Sequence, residues 1–322
     1  MALPPVLTEN LALPVVGAPL FIISHPALVI AQCRAGVIGA FPALNARPES
    51  QLDAWLAEVT ETLAAPNPDG GRPAAFAVNQ IVHRSNTRLE HDLRLCVQYR
   101  VPVVISSLGA VEEVNQAVHS YGGVVLHDVI HDRHARKAIE RGADGLIAVA
   151  AGAGGHAGTL SPFALVAEIR QWFDGPLLLS GAIATGGAVL AAQAVGADLA
   201  YVGSAFIATE EARASAAYKE MIVGSKAADI VYSNLFTGIH GNYLKGSIRA
   251  SGMDPDALPS ADPSLMDFAK ANFGEGGAKA WRDIWGAGQG VGSVDRVAPA
   301  AELVARLKRE YAAAKERLLN AS

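Results

Sequence analysis

The sequence predicts a closed (β/α)8 barrel with an inserted, mainly helical lid after the eighth strand and a C-terminal helix that packs back on the barrel. Three observations predict it. Eight short apolar runs alternate with helical patterns between residues 14 and 203. The runs are nearly unbroken rather than alternating, which signals burial on both faces, as in parallel sheets. A phrase made of a helix, Gly-Ala-Asp and an apolar strand occurs twice, at Gly142-Ala143-Asp144 and Gly196-Ala197-Asp198, with a looser copy around Gly36. Glycine ends the helix and a β-rich run follows at once.

The strands are expected at 14–18, 37–41, 74–79, 102–106, 123–127, 145–149, 176–180 and 199–203. Helices are expected between them at 26–35, 49–63, 88–99, 111–119, 132–141, 162–172 and 186–195. Eight alternations favour a closed barrel over an open doubly wound sheet. No Gly-x-Gly-x-x-Gly follows the first strand, which also disfavours a dinucleotide-binding sheet. The chain divides into a barrel over 1–211, an insert over 212–284 and a return over 285–322. The insert carries helix-like pieces at 216–225 and 264–273 among loops rich in Gly, Ser, Asp and Pro. The last helix is expected over 299–319, with Pro299 at its first position and Leu303, Leu307, Tyr311, Ala314 and Leu318 on one face.

A length of 322 residues, 51% hydrophobic and 18% charged, suits one enzyme-sized barrel with an insertion. The net charge of −5 and the lack of an Arg/Lys stripe argue against nucleic acid. Cys33 and Cys96 fall in helical patterns, so no disulfide framework is indicated and a cytoplasmic setting is expected. The apolar segment 11–31 is interrupted by Pro14, Pro19, His25 and Pro26. It reads as a buried strand, a loop and a helix start, not as a membrane span. Self-association is left open.

The loop from Ala150 to Thr159 is the centre of the functional reading. It leaves the sixth strand with four glycines and one histidine, His156. The glycines, Gly154 and Gly155 among them, let backbone pass close to a ligand, and His156 is the natural proton handler. A flexible turn with a surface histidine is the plain alternative. In a barrel the carboxyl ends of the strands build the site. Two small turns, Ser180-Gly181 after the seventh strand and Gly203-Ser204 after the eighth, stand where barrels commonly hold a phosphate.

Four residues are candidate substrate contacts: His127 at the end of the fifth strand, His83 after the third, and His240 and Tyr243 in the insert. The spacing of His127-Asp128 and His131-Asp132 invites a metal, but helix-start aspartates explain the acids and no metal is expected. Lys137, Lys219 and Lys245 fall in helices or the insert, so no Schiff-base former is in place.

Four phrases together resemble the nitronate monooxygenase (2-nitropropane dioxygenase-like) family. They are Ala153-Gly154-Gly155-His156-Ala157-Gly158, the Ser-Gly-Ala-Ile-Ala-Thr-Gly-Gly run from Ser180, the Gly196-Ala197-Asp198 phrase leading to Gly203-Ser204, and the run from Trp285 to Ser293. The resemblance implies FMN at the strand ends. Gly181 and Gly203-Ser204 would hold its phosphate, beside Ser180. Gly17-Ala18-Pro19 and Asn79 would flank the isoalloxazine and ribityl chain. The loop of Gly154, Gly155 and His156 would lie near the ring and the substrate, and Gln289 would approach the ring edge.

The chain also departs from the family pattern. Gly155-His156 is followed by Ala157, not arginine, and the insert reads Thr237-Gly238-Ile239-His240 where many members carry arginines. The resemblance implies an FMN-dependent oxidoreductase, with oxidation of nitronates or nitroalkanes by O2 as the leading activity. Two alternatives stand beside it: an NAD(P)H-dependent FMN reductase acting on quinones or activated enoyl compounds, and a flavin-free barrel that binds a phosphometabolite.

Overall fold

The computed structural model describes residues 3–261 and 282–320. The expected helix at 264–273 lies outside the described residues. Eight parallel strands form the barrel wall: β1 (Val15–Gly17), β2 (Gly39–Pro42), β3 (Phe76–Ile81), β4 (Val103–Ser107), β5 (Val124–Val129), β6 (Gly145–Val149), β8 (Leu177–Ser180) and β9 (Leu199–Val202). The two-residue strand β7 (Gly155–His156) belongs to another sheet. The barrel strands pair in the order β1-β9-β8-β6-β5-β4-β3-β2. The gap between β1 and β2 is bridged at Val16 and Ile38, where Gly17 N donates to Ile38 O at 2.7 Å.

Seven helices connect these strands: α1 (Pro26–Arg34), α2 (Gln51–Ala64), α3 (Leu89–Gln98), α4 (Glu112–His119), α5 (Asp132–Glu140), α6 (Pro162–Arg170) and α7 (Gly186–Ala194). Proline opens α1 and α6, where a missing N–H costs nothing. Thr185 caps α7 by accepting from Ala188 N. Each expected strand and helix of the barrel has its counterpart, with ends shifted by a residue or two.

The repeated Gly-Ala-Asp phrase has one structural job in both copies. Gly142 (φ 92°) and Gly196 (φ 112°) end α5 and α7 in the left-handed region. The following aspartate then reaches sideways to the neighbouring strand. Asp144 Oδ2 accepts from Val125 N at 2.7 Å, and Asp198 Oδ2 accepts from Leu177 N at 2.8 Å. Each carboxylate holds a backbone donor where a strand enters the barrel. Inside the barrel, Val16, Ile38, Ala77, Val103, Ile105, Leu126, Ile147, Leu178 and Leu199 pack together and fill the bore.

After β9 come the short helix α8 (Ser204–Ile207), α9 (Ala216–Gly224), the strands β10 (Ile230–Ser233) and β11 (Gly241–Leu244), and α10 (Lys245–Ala250). α9 matches the helical piece expected at 216–225; α8, α10 and the hairpin were not expected. β10 and β11 pair antiparallel, and β11 pairs in turn with β7, matching Gly241 to His156 and Asn242 to Gly155. The runs are only four residues long and mix Tyr, Ser, Asn and Gly, so no apolar period marks them.

The last helix, α11 (Ala300–Leu319), lies across α7. Pro299 is its N-cap rather than its first helical residue. Leu303, Leu307 and Ala314 are buried as expected, Tyr311 is partly buried, and Leu318 points to solvent at 59% exposure. The two helices touch backbone to backbone at Gly186, where a Cβ would sit 2.1 Å from Leu307 O.

Candidate active site

A cavity of about 220 Å³ opens at the carboxyl ends of the barrel strands. Of the residues expected at the site, Ala18, Pro19, Asn79, Gly154, Gly155, His156, Ser180, Gly181, Gly203 and Ser204 line it. Much of the wall is bare backbone, because Gly152, Gly286, Gly288 and Gly290 also face it. No lysine or arginine lines it among the described residues.

The glycines are there because chain segments meet at backbone distance. A Cβ on Gly154 would lie 2.7 Å from Gly288 N, and one on Gly288 would lie 2.4 Å from Gly152 O. Gly181 sits at φ 144°, and a Cβ there would press on Ala151 O at 2.8 Å. Gly203 differs: a Cβ would meet only Leu20 and Ala18, both cavity-lining, at 3.5 and 3.6 Å. A side chain there would fill the cavity itself. These bare turns after β8 and β9, facing a largely apolar cavity, fit a flat cofactor with an anionic tail. Ser204 Oγ accepts from Gly288 N at 2.8 Å, which turns its own proton toward other partners.

His156 is partly buried on β7. Its Nε2 lies 3.0 Å from Thr237 Oγ1. The Thr237 hydroxyl donates to Ile239 O at 3.0 Å, so its oxygen accepts from the imidazole. Burial lowers the His156 pKa to about 4, which keeps the ring neutral.

The cavity wall also holds a polar cluster of which the sequence reading gave a site role to Asn79 alone. Asn79 Nδ2 donates to Ser107 Oγ at 2.7 Å, and Ser107 Oγ donates to Asp128 Oδ2 at 2.6 Å. Asn79, Ser107, Asp128 and Tyr201 all line the cavity. Burial pushes the Asp128 carboxyl above the ordinary carboxylate range; His127, Ser107 and the Leu108 backbone pull the other way. Tyr201 is likewise raised, by burial first and the Asp128 charge second. The available signal was positional: Ser107 and Asp128 occupy strand ends, as Asn79 does.

Several expected residues lie elsewhere. Gly17 faces α1, where a Cβ would collide with the Gln32 amide at 2.3 Å. It is glycine for helix packing, and Ala18 and Pro19 carry the wall. Gln289 is exposed; its backbone N donates to Gly152 O at 2.9 Å and ties the return to the glycine loop. None of the four candidate substrate contacts lines the cavity. His83 bonds Ser85 Oγ at 2.8 Å in its own loop. His127 stands behind Asp128, with Nδ1 2.8 Å from Asp128 O and Nε2 2.7 Å from Gly109 O. His240 is exposed and stacks on Tyr232, with ring centres 5.0 Å apart. Tyr243 is fully buried against Phe236, and its hydroxyl lies 3.5 Å from Thr237 Oγ1. It backs the residue that backs His156.

Among the described residues, no helix is long and apolar enough to cross a membrane, and no three His, Cys, Asp or Glu group to hold a metal ion. Both cysteines are buried and neither lines the cavity, and burial pushes each thiol up to about 12.

Comparison with known proteins gives the same picture. A nitronate monooxygenase of Paraburkholderia phytofirmans is 28% identical over 95% of this chain and 94% of its own length. A Mycobacterium tuberculosis protein named a candidate monooxygenase is 31% identical over 69% of this chain. The match takes in only 60% of that relative. The structure of a nitroalkane oxidase from Streptomyces ansochromogenes superposes with a TM-score of 0.78 and 26% identity, covering 97% of this chain and 99% of that one. The family model for nitronate monooxygenases matches residues 6–310. With its barrel, its glycine-walled cavity and His156 at the mouth, this chain belongs to the nitronate monooxygenase family, whose members are flavin-dependent oxidoreductases.

Proposed function

We propose that this protein binds FMN in the cavity and oxidises nitronates with O2. The observation that carries the reading is the glycine wall itself, which leaves backbone exposed where the family's cofactor belongs. The turns at Ser180-Gly181 and Gly203-Ser204 would hold the phosphate on backbone donors, with the Ser204 hydroxyl as a further donor. Ala18, Pro19 and Asn79 would border the ring system. FMN, when bound, supplies the electron-accepting ring.

The chain's own part is binding, orientation and exclusion of water. His156 is neutral at physiological pH, and its Nε2–H is committed to Thr237. It therefore serves to position the substrate rather than to attract an anion by charge. With no arginine or lysine on the wall, small anionic nitronates gain no ion pair, and apolar contacts from Leu20, Phe21, Ile23 and Leu44 favour longer alkyl chains.

The purified protein should be yellow and should release FMN on heating. Anaerobic mixing with an alkyl nitronate should bleach the flavin. Bleaching by NADH or NADPH but not by nitronate would overturn the nitronate reading, and a colourless protein that takes up no FMN would overturn the flavin reading.

A further inference from the structure

We propose that Asp128 is the general base that removes the α-proton of a neutral nitroalkane, so that this one cavity both forms the nitronate and consumes it. The inference rests on the nitronate reading above. Asp128 is the one carboxylate among the described cavity-lining residues. It is held from several sides. Ser107 Oγ donates to its Oδ2 at 2.6 Å and is itself fixed by Asn79 at 2.7 Å, so the hydroxyl proton can point only to the carboxylate.

Behind it, both ring nitrogens of His127 face carbonyl oxygens, of Asp128 and Gly109. The ring is thereby wedged between the Asp128 backbone and the turn at Gly109, and it buttresses the carboxylate from behind. Leu108, which precedes Gly109, sits in the left-handed region at φ 64°. A non-glycine residue keeps that conformation only when its surroundings enforce it. Its backbone N–H faces the same carboxylate. Tyr201, from β9, completes the surroundings. Three strand ends, a left-handed turn and a buttressing imidazole thus fix one carboxylate at the wall of a largely apolar cavity.

The chemistry is balanced without any co-reactant. The carboxylate of Asp128 takes the proton from the carbon bearing the nitro group. The C–H bond breaks, its electron pair moves into the C–N bond and onto the nitro oxygens, and Asp128 becomes a neutral acid. The nitronate anion then faces no like charge. Burial makes Asp128 a stronger base than a solvent-exposed carboxylate, whereas the same effect weakens His156.

The test uses the FMN-loaded protein and nitroethane in D2O, with α-hydrogen exchange followed by NMR without O2. Oxidation of nitroethane and of preformed ethyl nitronate is measured in parallel. Wild type should catalyse exchange. Asp128→Asn should cut exchange, and the ratio of nitroethane to nitronate turnover, by roughly 10²-fold or more. Asp128→Glu should restore part of both. Ser107→Ala, which leaves the carboxyl in place, should lower both by about tenfold through loss of one charge-assisted hydrogen bond; it also decides the matter if Asp128→Asn fails to fold. Exchange that survives in Asp128→Asn or is untouched in Ser107→Ala, or that vanishes only in His156→Ala, would overturn the assignment. So would a wild type that catalyses no exchange. A wild type that exchanges the α-hydrogen but oxidises no nitronate would retain Asp128 as the base and remove only the nitronate reading.

Discussion

Nε2 of His156 and Oγ1 of Thr237 stand 3.0 Å apart although 81 residues separate them in the chain. Thr237 lies in the turn between β10 and β11, so the hairpin that pairs with β7 through its backbone also fixes the imaidazole through a side chain. Asn242 adds a third tie, donating from Nδ2 to Ala153 O at 2.7 Å. The glycine loop is flexible by composition, and its order comes from this strap.

His156→Ala should keep its flavin and lose about 10²-fold in turnover, equally on nitronate and nitroalkane, because the ring positions rather than abstracts. Thr237→Val, which frees the ring without removing it, should lose about tenfold. Steady-state rates normalised to bound flavin check this. A selective loss on nitroalkane alone would make His156 the base.

Acid should weaken the fold through two histidines. His25 is lowered to about 4 by burial and then by Arg213, and His156 to about 4 by burial, against an ordinary value of 6.5. Between those values the unfolded chain binds protons that the native chain refuses, so stability rises with pH across the window. Their contribution is complete above pH 6.5 and is lost as pH falls toward 4. The Tm of wild type should therefore drop more steeply from pH 7 to 4.5 than that of His25→Asn; parallel curves would contradict this.

Gly288→Val should leave the barrel folded but empty of flavin. Its side chain would enter the space of Gly152 O and Gly154 N, at 2.4 and 2.8 Å, and push the return off the glycine loop. Circular dichroism near wild type with no bound flavin is the expected pair of results. Normal flavin content would show that the loop can yield.

Asp198→Ala should destabilise by about 2 kcal/mol, since it strips Leu177 N and Arg170 Nη2 of their shared acceptor. Denaturant unfolding reads the change. The cavity is at the other end of the barrel, so flavin affinity should hold; a weaker flavin site would refute the separation of the two ends.

The barrel was legible because each of its units announces itself. Gly142 and Gly196 must be glycine to end a helix at positive φ, and the apolar runs after them have one use. That the turns after β8 and β9 and the histidine loop face the cavity was legible because strand ends follow from strand positions. What stayed hidden depends on partners distant in sequence. Gly17 looks like a ligand-contacting glycine until Gln32 is seen against it. His127 looks like a site residue because it ends a strand, yet alternation turns its neighbour Asp128 to the cavity instead. β10 and β11 are too short and mixed to show a period; only their pairing with β7 makes them strands.

Three backbone N–H groups of the return tie it down: Ala287 N to Asn242 O on β11, Gly288 N to Ser204 Oγ on α8 and Gln289 N to Gly152 O in the glycine loop. The barrel sheet, by contrast, is complete at Val202. During synthesis from the N-terminus, every barrel strand has been made before the first residue of this seal exists. A nascent chain can thus close its sheet while the cradle still lies open on one side, and the flavin can enter from that side. If flavin is taken up at that stage, the return would close over an occupied site, and loss of cofactor from the finished protein would require the return to lift. Flavin release should accordingly follow local opening of residues 286–291, a motion that amide hydrogen exchange can time separately from unfolding of the barrel.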